Sequence, residues 1–380
     1  MQIVVAPDKF KGSLSAVEAS RAMARGLLRA CPSAIVDEIP MADGGEGTVE
    51  ALVTATQGSF RMIEVSGPLG ESCQARFGLS GDGRTAFLEM AAASGLVLVP
   101  DSQRDPTLTT TRGTGDLIRA ALDLGVDRIV LGIGGSATND GGAGMAQAIG
   151  FRLLDADGHD LPPGGGPLDR LDRIDSSKRD RRLDQVELAV ACDVTNPLCG
   201  PNGASAVYGP QKGANAVMVQ QLDHNLARLA EVIARDLGRS VDDLPGAGAA
   251  GGLGAGLVAF AGGTLQRGVD LIARTVGLAD RLKSADLCFT AEGSLDAQTS
   301  HGKTIAGVAR TASEYGCPVL AIAGGIQPGA EVLLDQGVSA YFSLCDRPMS
   351  LDDAIAHASP LLERATEQAV RAFLAGRARP

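Results

Sequence analysis

Gly132-Ile-Gly-Gly-Ser-Ala-Thr-Asn-Asp-Gly-Gly-Ala-Gly144 says most about this chain. It follows the apolar run 129–131 and leads into 145–150, which we predict to be a helix. A strand that turns on glycines into a helix N-terminus brings unpaired N–H groups and partial positive charge to one point. Because such a turn suits a phosphate or a carboxylate, the stretch predicts chemistry on a small anion.

Polar side chains inside this stretch are the first candidates for holding the anion. Ser136 and Thr138 offer hydroxyls, Asn139 offers an amide, and Asp140 offers a carboxylate for a metal ion or a hydroxyl proton. The pattern of strand, glycines and helix is typical of an α/β protein.

Composition limits the class of protein. A chain of 380 residues is long enough for two domains. The net charge of −11 argues against a nucleic-acid partner, because neutralising phosphates requires a basic face. No apolar run approaches the ~20 residues that span a bilayer, which argues against a membrane partner.

Cysteine usage and the start of the chain bear on the compartment. The seven cysteines are scattered without a Cys-x-x-Cys pair, which favours a reducing compartment over a disulfide framework. The chain opens on the strand-like residues 3–6 with no basic leader. We therefore expect a cytoplasmic protein, and a homodimer is left open.

Strand-like and helix-like segments alternate from end to end, which predicts two α/β domains with mostly parallel sheets. The region 61–99 has a period closer to two, with a hairpin-like turn at 81–83, and is expected to be antiparallel. Ser15-x-x-Glu18 predicts a capping box. The predicted strands are 3–6, 35–39, 287–290 and 319–323, and the predicted helices are 48–55, 113–124, 145–150, 217–237, 304–315 and 349–374.

Six segments share one design, in which a short strand is followed by glycines mixed with Asp, Lys, Ser or Asn. Ligands in open α/β sheets bind beyond the carboxyl ends of the strands, so six such turns predict one polar site. The segments are 6–13, 40–48, 132–144, 191–197, 209–214 and 290–299.

Each candidate also has a structural interpretation. Asp8 and Asp296 are typical helix-capping residues, and Asp43 with Glu46 can favour the dipole of the helix at 48. Asp193 follows a strand that we predict to be buried, where a carboxylate is costly without a partner. Lys212, flanked by glycines, suits a point charge against an anion.

Other patterns give weaker hypotheses. Gly132-x-Gly134-x-x-Ala137 with Asp155 approximates a dinucleotide site, and Ala297-x-x-x-x-Gly302-Lys303-Thr304 approximates a phosphate-binding loop. The glycine run 246–256 is either a flexible loop over phosphate or a tightly packed helix start. The four histidines have no metal-ligand spacing, and only His301 has suggestive neighbours.

Taken in chain order, these segments closely resemble the type-1 glycerate kinase family. The resemblance covers nearly the whole chain, and so many ordered, unusual strings are far more specific than either weaker pattern. The strings that carry it are 6–13, 40–48, 104–106 with 109–115, 132–150, 191–203, 209–214, 246–256 and 292–303.

This resemblance implies ATP-dependent phosphorylation of D-glycerate, with 2-phosphoglycerate as the usual product, and Mg²⁺ beside ATP. It also implies two α/β domains, a flavodoxin-like one formed by 1–65 plus 285–380 and an inserted one formed by 66–284, with the active site in the cleft between them. The alternatives are a nicotinamide-dependent dehydrogenase and a non-catalytic binder of small carboxylates.

The resemblance and the segments together define the expected site residues. Asp193, Asp296 and Lys9 are the catalytic candidates, and which aspartate binds metal and which accepts the hydroxyl proton stays open. Asp193, Asp296 and Glu292 are the metal candidates. Substrate and phosphate binding are expected from Asp8, Lys11, Ser13, Asp43, Gly44, Gly45, Gly134, Gly135, Ser136, Thr138, Asn139 and Lys212.

The chain departs from the family at one position that bears on binding. The family commonly has Gly-Glu-Gly-Arg where this chain has Ala291-Glu-Gly-Ser294. An arginine there would be a bidentate donor to a carboxylate or a phosphate. Ser294 therefore raises the question of whether this loop contacts the substrate.

Overall fold

A computed structural model describes residues 1–296 and 304–377 of the chain. The described part forms two compact units, a first unit of residues 1–43, 50–57, 269–296 and 304–377 and a second unit of residues 44–49 and 58–268. The predicted domain bounds of 65, 66, 284 and 285 stay a prediction. His301 and the phosphate-loop-like residues 297–303 lie outside the described residues.

The strands are numbered in chain order. They are β1 Gln2–Val5, β2 Ile35–Glu38, β3 Ser59–Ser66, β4 Ser72–Leu79, β5 Thr85–Glu89, β6 Arg128–Gly132, β7 Arg152–Leu154, β8 Arg173–Asp175, β9 Glu187–Ala191, β10 Thr264–Gln266, β11 Leu287–Leu295, β12 Val319–Ile326 and β13 Ala340–Ser343.

The α-helices are numbered in the same way, and short 3₁₀ turns occur between them. They are α1 Ala16–Ala30, α2 Thr48–Ala55, α3 Ala91–Ser94, α4 Arg112–Asp123, α5 Ala143–Ala148, α6 Ala204–Tyr208, α7 Ala216–Leu237, α8 Ala249–Ala261, α9 Gly268–Thr275, α10 Leu278–Leu282, α11 Thr304–Ser313, α12 Leu351–Ala356 and α13 Ala358–Arg377.

The sheet of the first unit is wholly parallel, in the order β2-β1-β11-β12-β13. Counted within the unit this is 2-1-3-4-5, a doubly wound order whose direction reverses between β1 and β11. The apolar face of α1 packs on this sheet and on α13, with Met23 and Leu27 fully buried. Gly26 permits the close approach, since a Cβ there would lie 2.1 Å from the Glu363 carbonyl oxygen.

The sheet of the second unit is mixed, in the order β10-β9-β6-β5-β4-β3. β5, β6, β9 and β10 are parallel, whereas β4 pairs antiparallel with β3 and with β5, and the predicted turn at 81–83 connects β4 to β5. Of the parallel strands, β5, β6 and β9 are buried on both faces, as helices on each side require, whereas the edge strand β10 is partly exposed. One apolar core covers them, centred on residues such as Leu131, Val190 and Phe260.

Most local predictions are confirmed. The mixed α/β class holds, α2 has the predicted bounds, and Ser15 and Glu18 form the capping box at the start of α1. The predicted helical stretch 349–374 is confirmed and consists of two helices, since α12 ends at Ala356 and α13 begins at Ala358. Among the described residues, no helix is both long and apolar enough to cross a bilayer.

Candidate active site

The first unit places several predicted residues where its strand order reverses. In an open parallel sheet this point forms a crevice at the carboxyl ends of the strands, where ligands bind. Asp8 and Lys9 follow β1, and Glu292 and Asp296 lie at the end of the neighbouring β11. The Asp8 N–H donates to the Ala291 carbonyl at 2.8 Å, which holds the turn after β1 against β11.

Asp8 is a buried carboxylate with few donors. Its side chain accepts a hydrogen bond from the hydroxyl of Thr304, the first residue of α11, and one from the Lys9 N–H at 2.6 Å. Burial, and after it the charge of Asp43, raises the pKa of Asp8 from 3.8 to about 6. A group held in this state is typical of a functional site rather than of a simple helix cap.

The lysines and the serine of the same turn differ in exposure. The Lys9 ammonium lies 3.9 Å from the Asp43 carboxylate, and both side chains are partly exposed. Lys11 is exposed, while the Ser13 hydroxyl donates to the Ile355 carbonyl at 3.1 Å. Lys9 and Asp43 are therefore brought together, and Ser13 has a structural partner.

Two carboxylates lie on or directly after β11. Glu292 is 7 % exposed and pairs in register with Ala323 of β12, and Asp296 follows the last residue of the strand, half-buried. Ser294 lies between them on the same strand. Carboxylate oxygens are the donors that Mg²⁺ prefers, so Glu292 and Asp296 have the right chemistry for a metal contact.

The second unit forms a group of its own at the carboxyl ends of β5, β6 and β9. Gly44 adopts a φ of +93°, and a Cβ there would lie 2.5 Å from the Ala191 Cβ. A Cβ on Gly132 would lie 2.4 Å from the Gly44 carbonyl oxygen. These close approaches admit only glycine, and they bring the turn at 44–45 against the stretch 132–144.

The two halves of the stretch 132–144 have different environments. Gly134 and Gly135 are exposed, so their main-chain groups are open to a ligand. Ser136 is 7 % exposed, and Thr138 and Asn139 are fully buried. The Asn139 amide donates to the Ser205 hydroxyl at 2.9 Å. The side chains of Thr138 and Asn139 therefore face the interior of the second unit.

Asp140 anchors the buried half. Its carboxylate accepts from the Thr111 N–H at 2.8 Å and hydroxyl at 2.9 Å, and from the Gly142 and Gly144 N–H groups at 3.1 Å each. Burial raises the pKa of Asp140, and these donors oppose that effect. The suggestion that Asp140 serves a metal or a hydroxyl proton is wrong, because the starts of α4 and α5 already occupy its oxygens.

Lys212 was predicted to bind an anion, but its side chain donates to a main-chain carbonyl. It is 1 % exposed, and its ammonium donates to the Thr138 carbonyl at 2.7 Å. Burial lowers the pKa of Lys212 to about 7, and the charge of Asp140 acts in the opposite direction. Lys212 thus supports the stretch 132–144 from inside.

Asp193 is exposed, so the prediction of a buried carboxylate after β9 is wrong in that respect. The strand itself is buried, but the chain leaves the core at Cys192, and 193–195 are all exposed. The Asp193 carboxylate accepts from the Gly268 N–H at 2.8 Å. It therefore stands at the carboxyl end of a parallel strand, where a ligand can reach it.

Two residues of these groups were missed in the sequence. Glu89 ends β5, and its carboxylate accepts from the Val49 N–H at 2.8 Å. Thr304 donates to Asp8. The signal for Glu89 was the apolar run 86–88 followed by a carboxylate, the same pattern that identified Asp193. Thr304 was identified only as the last residue of the phosphate-loop-like pattern, and its contact with Asp8 had no local signal because the two residues are distant in sequence.

The glycine run 246–256 is a tightly packed helix start. Ala250, Gly251 and Gly252 all have positive φ at the beginning of α8. A Cβ on Gly251 would lie 1.9 Å from the Thr138 carbonyl oxygen, so the run packs directly on the buried half of 132–144. The alternative of a flexible loop is wrong.

The same stretch argues against a dinucleotide site. A dinucleotide fingerprint needs a helix that opens within the glycine turn, with its N-terminus on the pyrophosphate. Here β6 ends at Gly132 and α5 begins only at Ala143, and the intervening residues from 136 to 142 are buried. The pyrophosphate position is therefore occupied by protein.

Comparison with known proteins agrees with the strings identified in the sequence. The model of the glycerate kinase family matches residues 3–374. A protein named glycerate kinase from Halalkalibacterium halodurans is 53 % identical over 363 residues, 96 % of each chain. A protein named glycerate 2-kinase from Escherichia coli K12 is 51 % identical over 354 residues, 93 % of each chain.

A solved structure extends the likeness to three dimensions. A crystal structure from Salmonella typhimurium LT2, described provisionally as glycerate kinase 2, matches with a TM-score of 0.92 at 51 % identity over 99 % of each chain. The chain belongs to the glycerate kinase family. This confirms the resemblance drawn from the sequence and argues against the dehydrogenase alternative.

Proposed function

We propose that this protein transfers the γ-phosphoryl group of ATP to the 2-hydroxyl of D-glycerate and releases 2-phosphoglycerate. The observation that carries the proposal is the 51 % identity, over 93 % of the chain, to the relative named glycerate 2-kinase. The site chemistry agrees with it, since phosphoryl transfer depends on positioning and charge neutralisation more than on covalent catalysis.

Backbone N–H groups and lysines are proposed to hold the anionic groups of the two substrates. Gly134 and Gly135 are exposed at the glycine turn, and Gly44 and Gly45 lie in the turn that packs against it. Lys9 is partly exposed beside Asp43, so its ammonium can meet phosphate or carboxylate oxygen. Lys11 adds a second cation at the same turn.

The carboxylates divide by strand into two proposed roles. Glu292 and Asp296 share the end of β11 and are proposed to hold Mg²⁺, which neutralises phosphate charge when it is bound. Asp193 lies two residues beyond β9 and is exposed, so we assign it the role of accepting the proton of the attacking hydroxyl. Asp8, buried beside Asp43, is proposed to position the turn that carries Lys9.

The first experiment is turnover by the pure protein. With ATP, Mg²⁺ and D-glycerate we expect ADP release that requires D-glycerate and no nicotinamide. ADP release without D-glycerate would mean water is the acceptor. Saturable binding of D-glycerate without ADP would favour the non-catalytic binder and contradict the proposal.

The assigned roles are separable by two matched variants. Asp193→Asn should lower kcat at least ~10²-fold at every Mg²⁺ concentration, as expected for loss of a positioned acid–base group. Asp296→Asn should instead raise the Mg²⁺ concentration needed for half-maximal rate. Both rates would be measured across a Mg²⁺ titration. A normal kcat for Asp193→Asn, or identical Mg²⁺ curves for both variants, would contradict the assignment.

A further inference from the structure

A cavity in the second unit lies among α4, α5, β7 and the chain near Lys178, and the proposed function does not use it. Its volume is about 420 Å³, within the range of small-molecule sites. Its charged lining consists of Arg112, Arg152, Lys178 and the single carboxylate Asp160. A cationic cavity is unexpected on a chain whose net charge is −11.

The one carboxylate is already neutralised. The Arg152 guanidinium donates two hydrogen bonds to the Asp160 carboxylate, from Nη2 to Oδ2 at 2.8 Å and from Nε to Oδ1 at 3.0 Å. This contact, with help from the charge of Lys178, lowers the pKa of Asp160, so the carboxylate stays ionised. Arg112 and Lys178 make no direct ion pair with Asp160, whose carboxylate oxygens bind Arg152.

Arg112 and Lys178 are the two cationic side chains of the cavity that do not pair with Asp160. Both are exposed at the cavity, and neither makes an ion pair with a residue in the described ranges 1–296 and 304–377. Arg112 offers a planar fork of donors and Lys178 a compact charge, a combination that suits phosphate and carboxylate oxygens. Phe151 and Leu161 contribute an apolar wall for a short carbon skeleton.

A second cavity of the same unit shows that this charge is specific. It measures about 480 Å³ and is lined by four carboxylates and one guanidinium. The carboxylates are Glu64, Glu71, Asp116 and Asp123, and the guanidinium is that of Arg119. Two cavities of similar size on one unit therefore carry opposite charge, and an anion would distinguish between them.

We propose that the cavity at Arg112, Arg152 and Lys178 binds a small organic dianion, of the class that carries phosphate or carboxylate groups on a short carbon skeleton. Arg112 and Lys178 hold the two anionic groups, and Arg152 stays paired with Asp160. The site is connected to the glycine stretch, because Arg112 directly follows Thr111, which donates twice to Asp140.

Calorimetric titration of the intact protein with phosphoenolpyruvate tests the site, with inorganic phosphate and glycerol as partial ligands. The D-glycerate and ATP sites are first filled with D-glycerate, Mg²⁺ and a non-hydrolysable ATP analogue. The double variant R112Q/K178Q is compared with R181Q/K283Q, which removes the same two charges away from the cavity. Arg181 and Lys283 are not among the lining residues.

We expect saturable binding of phosphoenolpyruvate, at least ~10-fold weaker in R112Q/K178Q and unchanged in the control. Inorganic phosphate should bind more weakly, and glycerol should not bind. Turnover without the added anion should be the same in both variants and the parent. Equal loss in the two variants, displacement of the probe by the substrates, or no saturable binding up to about 10 mM would overturn the proposal.

Discussion

Asp8 and Asp140 follow parallel strands in the two units in similar ways, and both are buried carboxylates. Asp140 receives four hydrogen bonds from Thr111, Gly142 and Gly144, which saturate its oxygens. Asp8 receives two, from Thr304 and the Lys9 N–H, and it faces the like charge of Asp43.

This difference in donors distinguishes Asp140, which acts as a structural anchor, from Asp8, which is available for function. A carboxylate surrounded by main-chain donors fixes a loop, because breaking such a network leaves several buried donors unsatisfied. A carboxylate with few donors and a like-charged neighbour destabilises the folded state and is retained where function needs it. Burial alone does not distinguish the two, whereas the count of donors does.

The largest effect is expected at the anchor. Asp140→Asn replaces one acceptor oxygen by an NH₂ that must face backbone donors, so the free energy of unfolding should fall by about 3 kcal/mol or more. Urea unfolding would measure this loss. Asp243→Asn, an exposed carboxylate of the same unit, is the control and should change little. A loss of unfolding free energy below about 1 kcal/mol would contradict the anchoring role of Asp140.

Asp8→Asn should behave in the opposite sense, with a large loss of activity and no loss of stability. We expect kcat/KM to fall at least ~10²-fold, since the variant removes the carboxylate from the turn that carries Lys9. The exposed Asp335→Asn of the same unit is the control for activity. A near-normal kcat/KM for Asp8→Asn would show that Asp8 is not part of the functional site.

The pKa of Asp8 fixes the pH dependence of stability. It is about 6 in the folded chain, above its ordinary 3.8. Between these values the folded chain keeps a proton that the unfolded chain has lost, so this group lowers stability as pH rises from about 4 to 6. Relative to the parent, Asp8→Asn should therefore gain about 1–3 kcal/mol between pH 4 and pH 7.5. Unfolding midpoints at the two pH values would measure the gain, and a constant difference would contradict it.

Lys212→Met tests the protonation of the buried lysine that supports the stretch 132–144. The pKa of Lys212 is about 7 when buried, below its ordinary 10.5, so the unfolded chain holds a proton that the folded chain has released. The parent should gain stability over Lys212→Met as pH rises from 7 to 9. Urea midpoints at both pH values would show it, with Lys283→Met as the exposed control. A pH-independent difference would mean that Lys212 keeps its charge when buried.

The smallest effect is expected at Ser294. Ser294→Arg places a guanidinium on the strand that also carries Glu292. We expect activity to be kept and the KM for D-glycerate to be equal or lower, because a guanidinium adds a bidentate donor for a carboxylate. Ser294→Lys is the matched variant that adds charge without the fork. A severe loss of activity for Ser294→Arg would show that the end of β11 requires serine at this position.

Features set by neighbours in the chain could be predicted from the sequence. The capping box of Ser15 and Glu18, the bounds of α2 and the antiparallel hairpin at 81–83 each depend on a few adjacent residues. The polar turns at strand ends were also identified, because strand and glycine signals are local.

Environment could not be predicted in the same way. Lys212 reads as an anion-binding lysine until its partner, the Thr138 carbonyl 74 residues away, is known. Asp193 reads as buried because its strand is buried, but the chain turns outward one residue earlier. Burial and hydrogen-bond partners are set by tertiary packing, which periodicity does not encode.

Phosphorylation at the 2-hydroxyl is tested by the ³¹P NMR spectrum of the product formed from ATP and D-glycerate by the parent protein. We predict a phosphomonoester resonance with the coupling of a phosphate on a CH group, which identifies 2-phosphoglycerate. Coupling to a CH₂ group, or inorganic phosphate as the only new resonance, would contradict the account.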